Sequence, residues 1–143
     1  MVICQPRALF PWPNLATDLF KNVNDTYGHE KGNVVLRTVA DLLKASVRRM
    51  DTVARYGGEE FAVLMPDSNG AEREMAERMR KKIESTEFTG ITDTPLRITI
   101  SGGVATYPRD AQSANELLDK ADKGLYRAKN CGRNKTCYYE PES

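Results

Sequence analysis

Two adjacent glycines, Gly57 and Gly58, separate two short runs rich in β-forming residues, TVARY and FAVLM. A Gly-Gly pair between such runs is typical of a β-hairpin with a two-residue turn, because glycine adopts positive φ at no steric cost. The hairpin restricts the chain to folds that contain an antiparallel strand pair. Glu59 and Glu60 follow the glycines directly, so the tightest predicted turn also carries two carboxylates.

Three segments around the hairpin have the apolar periodicity of amphipathic helices. The first runs from Asn33 to Val47. The second follows Asn69, which we expect to cap it because Glu72 stands three residues further on. The third begins at Ser113 with the same cap spacing, and Gly132 is its expected end.

The segment LRITISGGVATY alternates apolar with polar residues, which predicts a strand with one wetter face. KTCYY, near the end of the chain, predicts a further short strand. Helices and strands therefore interleave around hairpins. We expect an α/β sandwich in which helices flank a mixed, mostly antiparallel central sheet.

The start of the chain fits this pattern poorly. ALFPWPNLATD holds Pro11 and Pro13 around Trp12, and proline cannot donate to a sheet ladder. We therefore expect an edge, a loop or an arm in this segment rather than a central strand. An arm that presents Phe10 and Trp12 to a partner, and an aromatic plug over the domain's own core, both remain open.

Composition limits the classes of function. The chain has 143 residues, 40% of them apolar, which is enough for one globular domain. The formal net charge of +1 gives no overall field to attract a nucleic-acid polymer or an anionic membrane, so any anion site has to be local. No apolar run is long enough to span a bilayer, and we expect a cytoplasmic domain with no membrane partner.

Metal chemistry, if present, should use oxygen ligands. The three cysteines show no CxxC spacing, and His29 is the only histidine in the sequence. These counts argue against a zinc site of the His/Cys kind and against histidine-based triads. Hard cations such as Mg²⁺ prefer carboxylate and carbonyl oxygens.

The double glutamate allows two interpretations. Neighbouring strand residues point to opposite faces, so only one of Glu59 and Glu60 can address a given ligand. Lys129 and Arg133 stand at a predicted helix end near a glycine, a spacing that suits phosphate oxygens. The alternatives are two solvated turn residues and two cations that favour the helix dipole.

Four segments occur in a fixed order: LFKNVNDTYGHEKGN, RYGGEEF, ITISGGVATYP and ADKGLYRAKNCGRN. Together they resemble the GGDEF family, the diguanylate cyclase domains of bacterial cyclic di-GMP signalling, in its GGEEF variant. The resemblance covers residues 18–137. It implies the palm-like nucleotide-cyclase fold, with a GGDEF domain over residues 18–143 and an atypical N-terminal arm over residues 1–17.

The resemblance also implies chemistry. A homodimer would join two GTP molecules into cyclic di-GMP and release two pyrophosphates, with Mg²⁺ as cofactor. Glu59 would be the metal ligand and catalytic acid, and Lys129 and Arg133 would be catalytic phosphate clamps. The implied substrate-binding positions are Lys21 in the phosphate-wrapping loop, Asn24 and Asn33 at the guanine, and Gly57 and Gly58 beside the nucleotide.

Two positions depart from the family pattern. Ala16 stands where the family has its second metal-binding aspartate. Asp18 is two residues on, about 6.5 Å away along an extended chain, whereas a Mg²⁺ ligand lies at about 2.1 Å. The opening strand is also missing or rewritten, so we expect impaired cyclase activity. Asn33 replaces an aspartate, which predicts relaxed base choice, or else caps the following helix.

A further motif implies a second function. Arg48 and Asp51 form the Arg-x-x-Asp pattern of the family's inhibitory site, where cyclic di-GMP binds, and Arg78 would complete that site. Without the family, the same residues would be surface charge. The alternative to an enzyme is therefore a catalytically inactive cyclic di-GMP receptor, and a third possibility is a purely structural dimerising domain.

Overall fold

A computed structural model describes residues 2–9, 27–55, 57–91, 93 and 95–141, and for residues 2–9 it describes the course of the backbone. Within this part of the chain there are three helices and six strands. The helices are α1 (His29–Ser46), α2 (Glu72–Glu84) and α3 (Ala114–Asn130). The strands are β1 (Val2–Leu9), β2 (Thr52–Arg55), β3 (Phe61–Leu64), β4 (Glu87–Phe88), β5 (Leu96–Val104) and β6 (Thr136–Tyr138).

The described strands form one sheet in the order β2-β3-β1-β5-β4, and β6 pairs with β5. All pairs are antiparallel except β5 with β6, which is parallel. The predicted mixed, mostly antiparallel sheet with flanking helices is therefore confirmed.

The expectation that the opening strand is missing is wrong. β1 lies between β3 and β5 and pairs with β5 over its whole length, from Val2 to Leu9. Its pairing with β3 covers only Val2–Cys4, so at Pro6 the strand has a neighbour on one side alone. A proline is tolerated where one side of a strand is unpaired, because its missing N–H then breaks no ladder. The prolines at 11 and 13 lie outside the described residues.

The strand β5 is buried on both faces, against the prediction of one wetter face. Of its nine residues only Arg97 is exposed. Ile98 and Ile100 join the main apolar cluster formed with α1 and α2, and the alternate residues Thr99 and Ser101 are also buried. The helices α2 and α3 both pack against β5 and cover its polar residues, whereas the alternating sequence indicated a half-solvated strand.

The two predicted helix caps differ in outcome. Ser113 caps α3 as expected, because its side chain accepts from the backbone N–H of Glu116. Asn69 does not cap α2. It has a φ of 50° inside a turn, and the helix begins at Glu72 without a side-chain cap. Glu72 is instead buried, and its Oε1 accepts from Thr106 Oγ1 at 2.9 Å.

The backbones of α3 and β5 touch at two glycines. A Cβ on Gly103 would lie 1.9 Å from the carbonyl oxygen of Ala121 and 2.2 Å from the backbone nitrogen of Leu125. A Cβ on Gly124 would lie 3.1 Å from the Cα of Gly103, and 2.7 Å from the carbonyl oxygen of Cys137 on β6. Helix and strand therefore approach more closely than side chains would allow. This contact fixes the position of α3 on the sheet, and hence the position of its C-terminal end.

No helix in the described part of the chain is long and apolar enough to cross a bilayer.

Candidate nucleotide and metal site

The strand register brings the predicted site segments to one end of the sheet. β1 pairs Cys4 with Phe61, the first residue of β3, and then runs on past the loop before Phe61. Leu9, the end of β1, lies opposite Arg97 at the start of β5. β6 runs parallel to β5 with Thr136 beside Gly102, so the residues that precede Thr136 also lie towards the start of β5. The glycine hairpin, the end of β1 at Leu9 and the loop before β6 thus lie at the same end of the sheet.

The hairpin is longer than the predicted two-residue turn. Arg55 pairs with Phe61, which leaves residues 56–60 as the connection, and neither Gly57 nor Gly58 has a positive φ. Gly57 N–H donates to the carbonyl of Glu60 at 3.3 Å. The Arg55 guanidinium also closes the loop, because its Nε and Nη2 donate to the Gly58 carbonyl at 3.1 and 2.6 Å.

Gly58 is not required by the backbone conformation or by crowding within the chain. Its φ is not left-handed, and a Cβ placed on it would meet no heavy atom of the chain within 4 Å. The neighbouring Glu59 is half-buried at the rim of this loop. Open space beside a glycine and a carboxylate is where a ligand can approach the backbone closely.

Lys129 lies at the C-terminal end of α3, beside a cavity of about 1190 Å³. Glu60 and Asp122 line the same cavity. Burial raises the pKa of Asp122, Asp119 adds to the rise, and Lys129 opposes it. The sequence pattern had not singled out Asp122, although it stands seven residues before Lys129 on the same helix face, and this period could have indicated it.

Arg133 is placed by the end of α3. Gly132 has a φ of 102°, and the backbone N–H of Arg133 donates to the Ala128 carbonyl at 2.9 Å. This is the bond of a Schellman motif with glycine in the left-handed position, so the predicted helix end at Gly132 is confirmed. Lys129, in the last turn of α3, and Arg133, just beyond its C-cap, are therefore both placed at the same helix end.

Asn33 is exposed in the second turn of α1, so the interpretation as a helix cap is wrong. It borders a cleft of about 470 Å³ whose other lining residues include Arg37, Lys44 and Arg55. This cleft lies between α1 and the β2-β3 hairpin. The other predicted nucleotide positions, Lys21 and Asn24, lie outside the described residues, as do Ala16 and Asp18.

The side chains available as ligands are compatible with a hard cation that is bound by few protein groups. Within the described ranges no three His, Cys, Asp or Glu side chains cluster as a metal cage would require. Mg²⁺ does not need such a cage, because it is commonly bound by one or two carboxylates together with substrate phosphates and water. Glu59 is a carboxylate of the kind that such a site needs.

The predicted inhibitory residues lie around the C-terminal end of α1. Arg48 makes a two-point ion pair with Asp51, with Nη2 to Oδ1 at 2.9 Å and Nε to Oδ2 at 3.2 Å. Its Nη2 also donates to the Pro66 carbonyl at 2.7 Å. Arg78, on α2, donates to the Ser46 carbonyl at 2.7 Å. One chain thus brings Arg48 and Arg78 to the same helix end.

The ion pair at Asp51 gives a prediction for stability against pH. The hydrogen bond from Arg48 lowers the pKa of Asp51, whose side chain is fully buried. A lowered carboxyl pKa contributes stability above the unfolded-state value, and this contribution is lost as pH falls through the folded value. Asp51→Asn is therefore expected to be less stable than wild type at pH 7 and to differ from it less at pH 3. Urea unfolding at both pH values measures this, and an equal difference at both would contradict it.

Comparison with known proteins decides the family. A family model described as the diguanylate cyclase GGDEF domain matches residues 14–135. The chain belongs to the GGDEF domain family. Among curated relatives, diguanylate cyclase A of Treponema denticola is 44% identical over 119 residues, which is 82% of this chain and 32% of the relative. This GGDEF chain therefore spans about a third of that relative's length.

Solved structures agree with the assigned fold. The GGDEF domain of DgcB from Caulobacter crescentus, in complex with c-di-GMP, has a TM-score of 0.77 and 28% identity. The match covers 98% of this chain and 78% of the DgcB chain. The active GGEEF domain of a diguanylate cyclase from Vibrio cholerae has a TM-score of 0.74 and 26% identity, with 99% and 83% covered. The predicted cyclase-type GGDEF fold is confirmed.

Proposed function

We propose that this GGDEF domain binds GTP at the hairpin end of the sheet and acts as a diguanylate cyclase across a homodimer. In each half-reaction the 3′-hydroxyl of one GTP attacks the α-phosphate of the other, forms a phosphodiester and releases pyrophosphate. The observation that carries the proposal is the sheet register, which brings the carboxylate hairpin, the basic loop after α3 and the end of β1 to one end of the sheet. An in-line displacement at phosphorus needs positive charge beside the phosphates, and it needs the attacking hydroxyl and the leaving group to be aligned.

Each predicted site residue has a role in this proposal. Glu59 would hold Mg²⁺, which when bound offsets the charge that develops on the phosphates. Lys129 and Arg133 would bind phosphate oxygens from the helix end, and Gly57 and Gly58 would leave room for the nucleotide. Lys21 and Asn24, which lie outside the described residues, would contact the phosphates and the guanine as the family pattern implies. The Vibrio cholerae GGEEF domain is described as active, which supports catalysis by the glutamate form of the signature.

Asn33 bears on the choice of base. Its exposed side chain beside the cleft of α1 is accessible to a nucleobase. A carboxylate would accept from both guanine N1–H and the 2-amino group, whereas an amide presents one acceptor and one donor. We therefore propose that the preference for GTP over ATP is relaxed in this chain.

Mass spectrometry of the purified protein incubated with GTP and Mg²⁺ tests the proposed reaction. We expect cyclic di-GMP and pyrophosphate in a molar ratio of one to two. A nucleotide titration should be run in parallel, since it reports GTP binding even where turnover is slow. A chain that neither forms product nor binds GTP would contradict the proposal.

Ala16 should limit the rate, because the family pattern places a metal-binding aspartate at this position. Ala16→Asp is expected to raise product formation at least about tenfold, since a second carboxylate improves retention and placement of the cation. Initial rates at several Mg²⁺ concentrations measure this effect. Asp18→Asn provides a control for the neighbouring carboxylate. An Ala16→Asp variant no faster than wild type would show that Ala16 is not the cause of low activity.

The geometry around α1 favours a second candidate, a receptor for cyclic di-GMP. Arg48 and Arg78 both lie at the C-terminal end of this helix, and guanidinium groups can bind guanine edges and phosphates. A receptor without enzyme activity would form no product and would bind cyclic di-GMP, with binding lost on Arg48→Ala or Arg78→Ala. An enzyme with an inhibitory site would form product, and Arg48→Ala would retain it.

A further inference from the structure

The loop that carries Arg133 has an unusual backbone. Gly132, Arg133 and Asn134 have φ values of 102°, 60° and 46°, so three successive residues are left-handed. Glycine adopts this conformation freely and asparagine tolerates it, whereas for arginine it is unfavourable. The helix cap provides one hydrogen bond in this loop, which the backbone N–H of Arg133 donates to the carbonyl of Ala128. Contacts from outside α3 are needed to hold the rest of the loop.

Asn134 makes these contacts through its backbone and its side chain. Its backbone N–H donates to Ser101 Oγ on β5 at 3.2 Å. Its side-chain Oδ1 accepts from Arg80 Nη1 at 3.0 Å, and its Nδ2 donates to Glu84 Oε1 at 3.0 Å. Arg80 and Glu84 belong to α2, 54 and 50 residues earlier in the sequence. The side chain of Asn134 therefore joins the loop of Arg133 to a distant helix.

Arg80 is itself fixed by two carboxylates of α2. Its Nε and Nη2 donate to Glu77 at 3.1 Å, and its Nη1 donates to Glu84 Oε2 at 2.7 Å. The Arg80 side chain is only 13% exposed. Glu77 also accepts from Thr136 Oγ1, in β6, at 2.8 Å. These hydrogen bonds lower the pKa of both glutamates, so the network remains ionised at neutral pH.

We propose that this network, made of Glu77, Arg80, Glu84, Asn134 and Thr136, is the positioning device for Arg133. Lys129 is fixed by the helix to which it belongs, but Arg133 lies beyond the helix, and the direction of its side chain follows from the backbone that Asn134 holds. The network thereby sets the affinity of the loop for a nucleoside triphosphate. This inference rests on the proposed GTP site. Asn134 and Arg80 act through Arg133 and are positioning residues rather than catalytic ones.

A charge exchange within the network tests the inference. Asn134→Asp tolerates the left-handed backbone but places a carboxylate against Glu84, and so adds one negative charge. Adding Glu84→Gln removes this extra negative charge. It also restores a hydrogen bond between the two positions, with the amide at position 84 as the donor and the carboxylate at position 134 as the acceptor. GTP affinity is expected to fall about tenfold in Asn134→Asp, and to return within about threefold of wild type in the double variant. Glu87→Gln, an exposed neighbour outside the network, should bind GTP as wild type does.

Hydrogen exchange of the Arg133 and Asn134 amides, measured without nucleotide, gives a readout that does not depend on GTP. Exchange should be about tenfold faster in Asn134→Asp than in wild type and slower again in the double variant, with thermal stability recorded for each protein. Wild-type affinity retained in Asn134→Asp, or no recovery in the double variant, would overturn the inference. If wild type binds no GTP, the proposed function fails, and unchanged amide exchange in Asn134→Asp would then overturn the positioning role separately.

Discussion

Gly103→Ala is expected to lower the free energy of unfolding by about 3 kcal/mol or more, which is at the upper end of the cost of overpacking a core. The added Cβ would stand 1.9 Å from the Ala121 carbonyl oxygen and 2.2 Å from the Leu125 nitrogen. Both atoms belong to the backbone of α3, so no side chain can rotate away. Urea unfolding followed by circular dichroism measures the loss, or shows that the variant does not fold.

Gly58→Ala is the matched control for this prediction. At Gly58 a Cβ meets no heavy atom of the chain within 4 Å, and φ is not left-handed, so stability should change by less than about 1 kcal/mol. The same variant should bind GTP more weakly, since its methyl group would occupy space proposed for the nucleotide. Equal stabilities of Gly103→Ala and wild type would contradict the close contact between α3 and β5.

Glu59→Gln is expected to reduce formation of cyclic di-GMP by at least about 100-fold, because a metal ion contributes several kcal/mol to such a displacement. The amide keeps the size of the side chain and removes the charge that attracts the cation. The dependence of GTP affinity on Mg²⁺ should be lost as well. Titrating GTP at several Mg²⁺ concentrations measures this second effect, and it applies whether turnover is fast or slow.

Glu60→Gln provides the comparison within the same loop. Glu60 lines the cavity beside Lys129 and Glu59 does not, so the two glutamates should differ in their contribution. GTP affinity should remain dependent on Mg²⁺ in Glu60→Gln. If Mg²⁺ dependence persists in Glu59→Gln and is lost in Glu60→Gln, the assignment of the metal ligand is wrong.

Local patterns in the sequence predicted much of the architecture. The α1 helix and the cap of α3 at Ser113 follow from periodicity and capping chemistry that act over a few residues. The pairing of the strands around the glycines was also predicted, although the turn that joins them is longer than two residues. The candidate site residues were named from motifs that each lie within a short stretch of sequence and that resemble the family. These features needed no knowledge of tertiary contacts.

The remaining features depend on contacts between distant parts of the chain. Pro11 and Pro13 argued against a central strand at the start of the chain, whereas β1 ends at Leu9, before both of them. The pairing of β1 with β3 and β5 is a property of the whole sheet. The burial of Thr99 and Ser101 depends on what covers β5. The network at Asn134 reaches Glu84 and Arg80, which stand 50 and 54 positions away in the sequence, and no local pattern reports such a pairing.

The meeting of Gly103 with Gly124 limits how the domain can move. Two backbones in direct contact leave no side chains to slide over one another, so α3 and β5 shift as one body. The backbone of Lys129 is carried by this body, because the residue lies in the last turn of α3. A motion that opens the cavity beside Lys129 therefore has to come from a neighbouring element such as the hairpin loop, while the end of α3 keeps its place on the sheet.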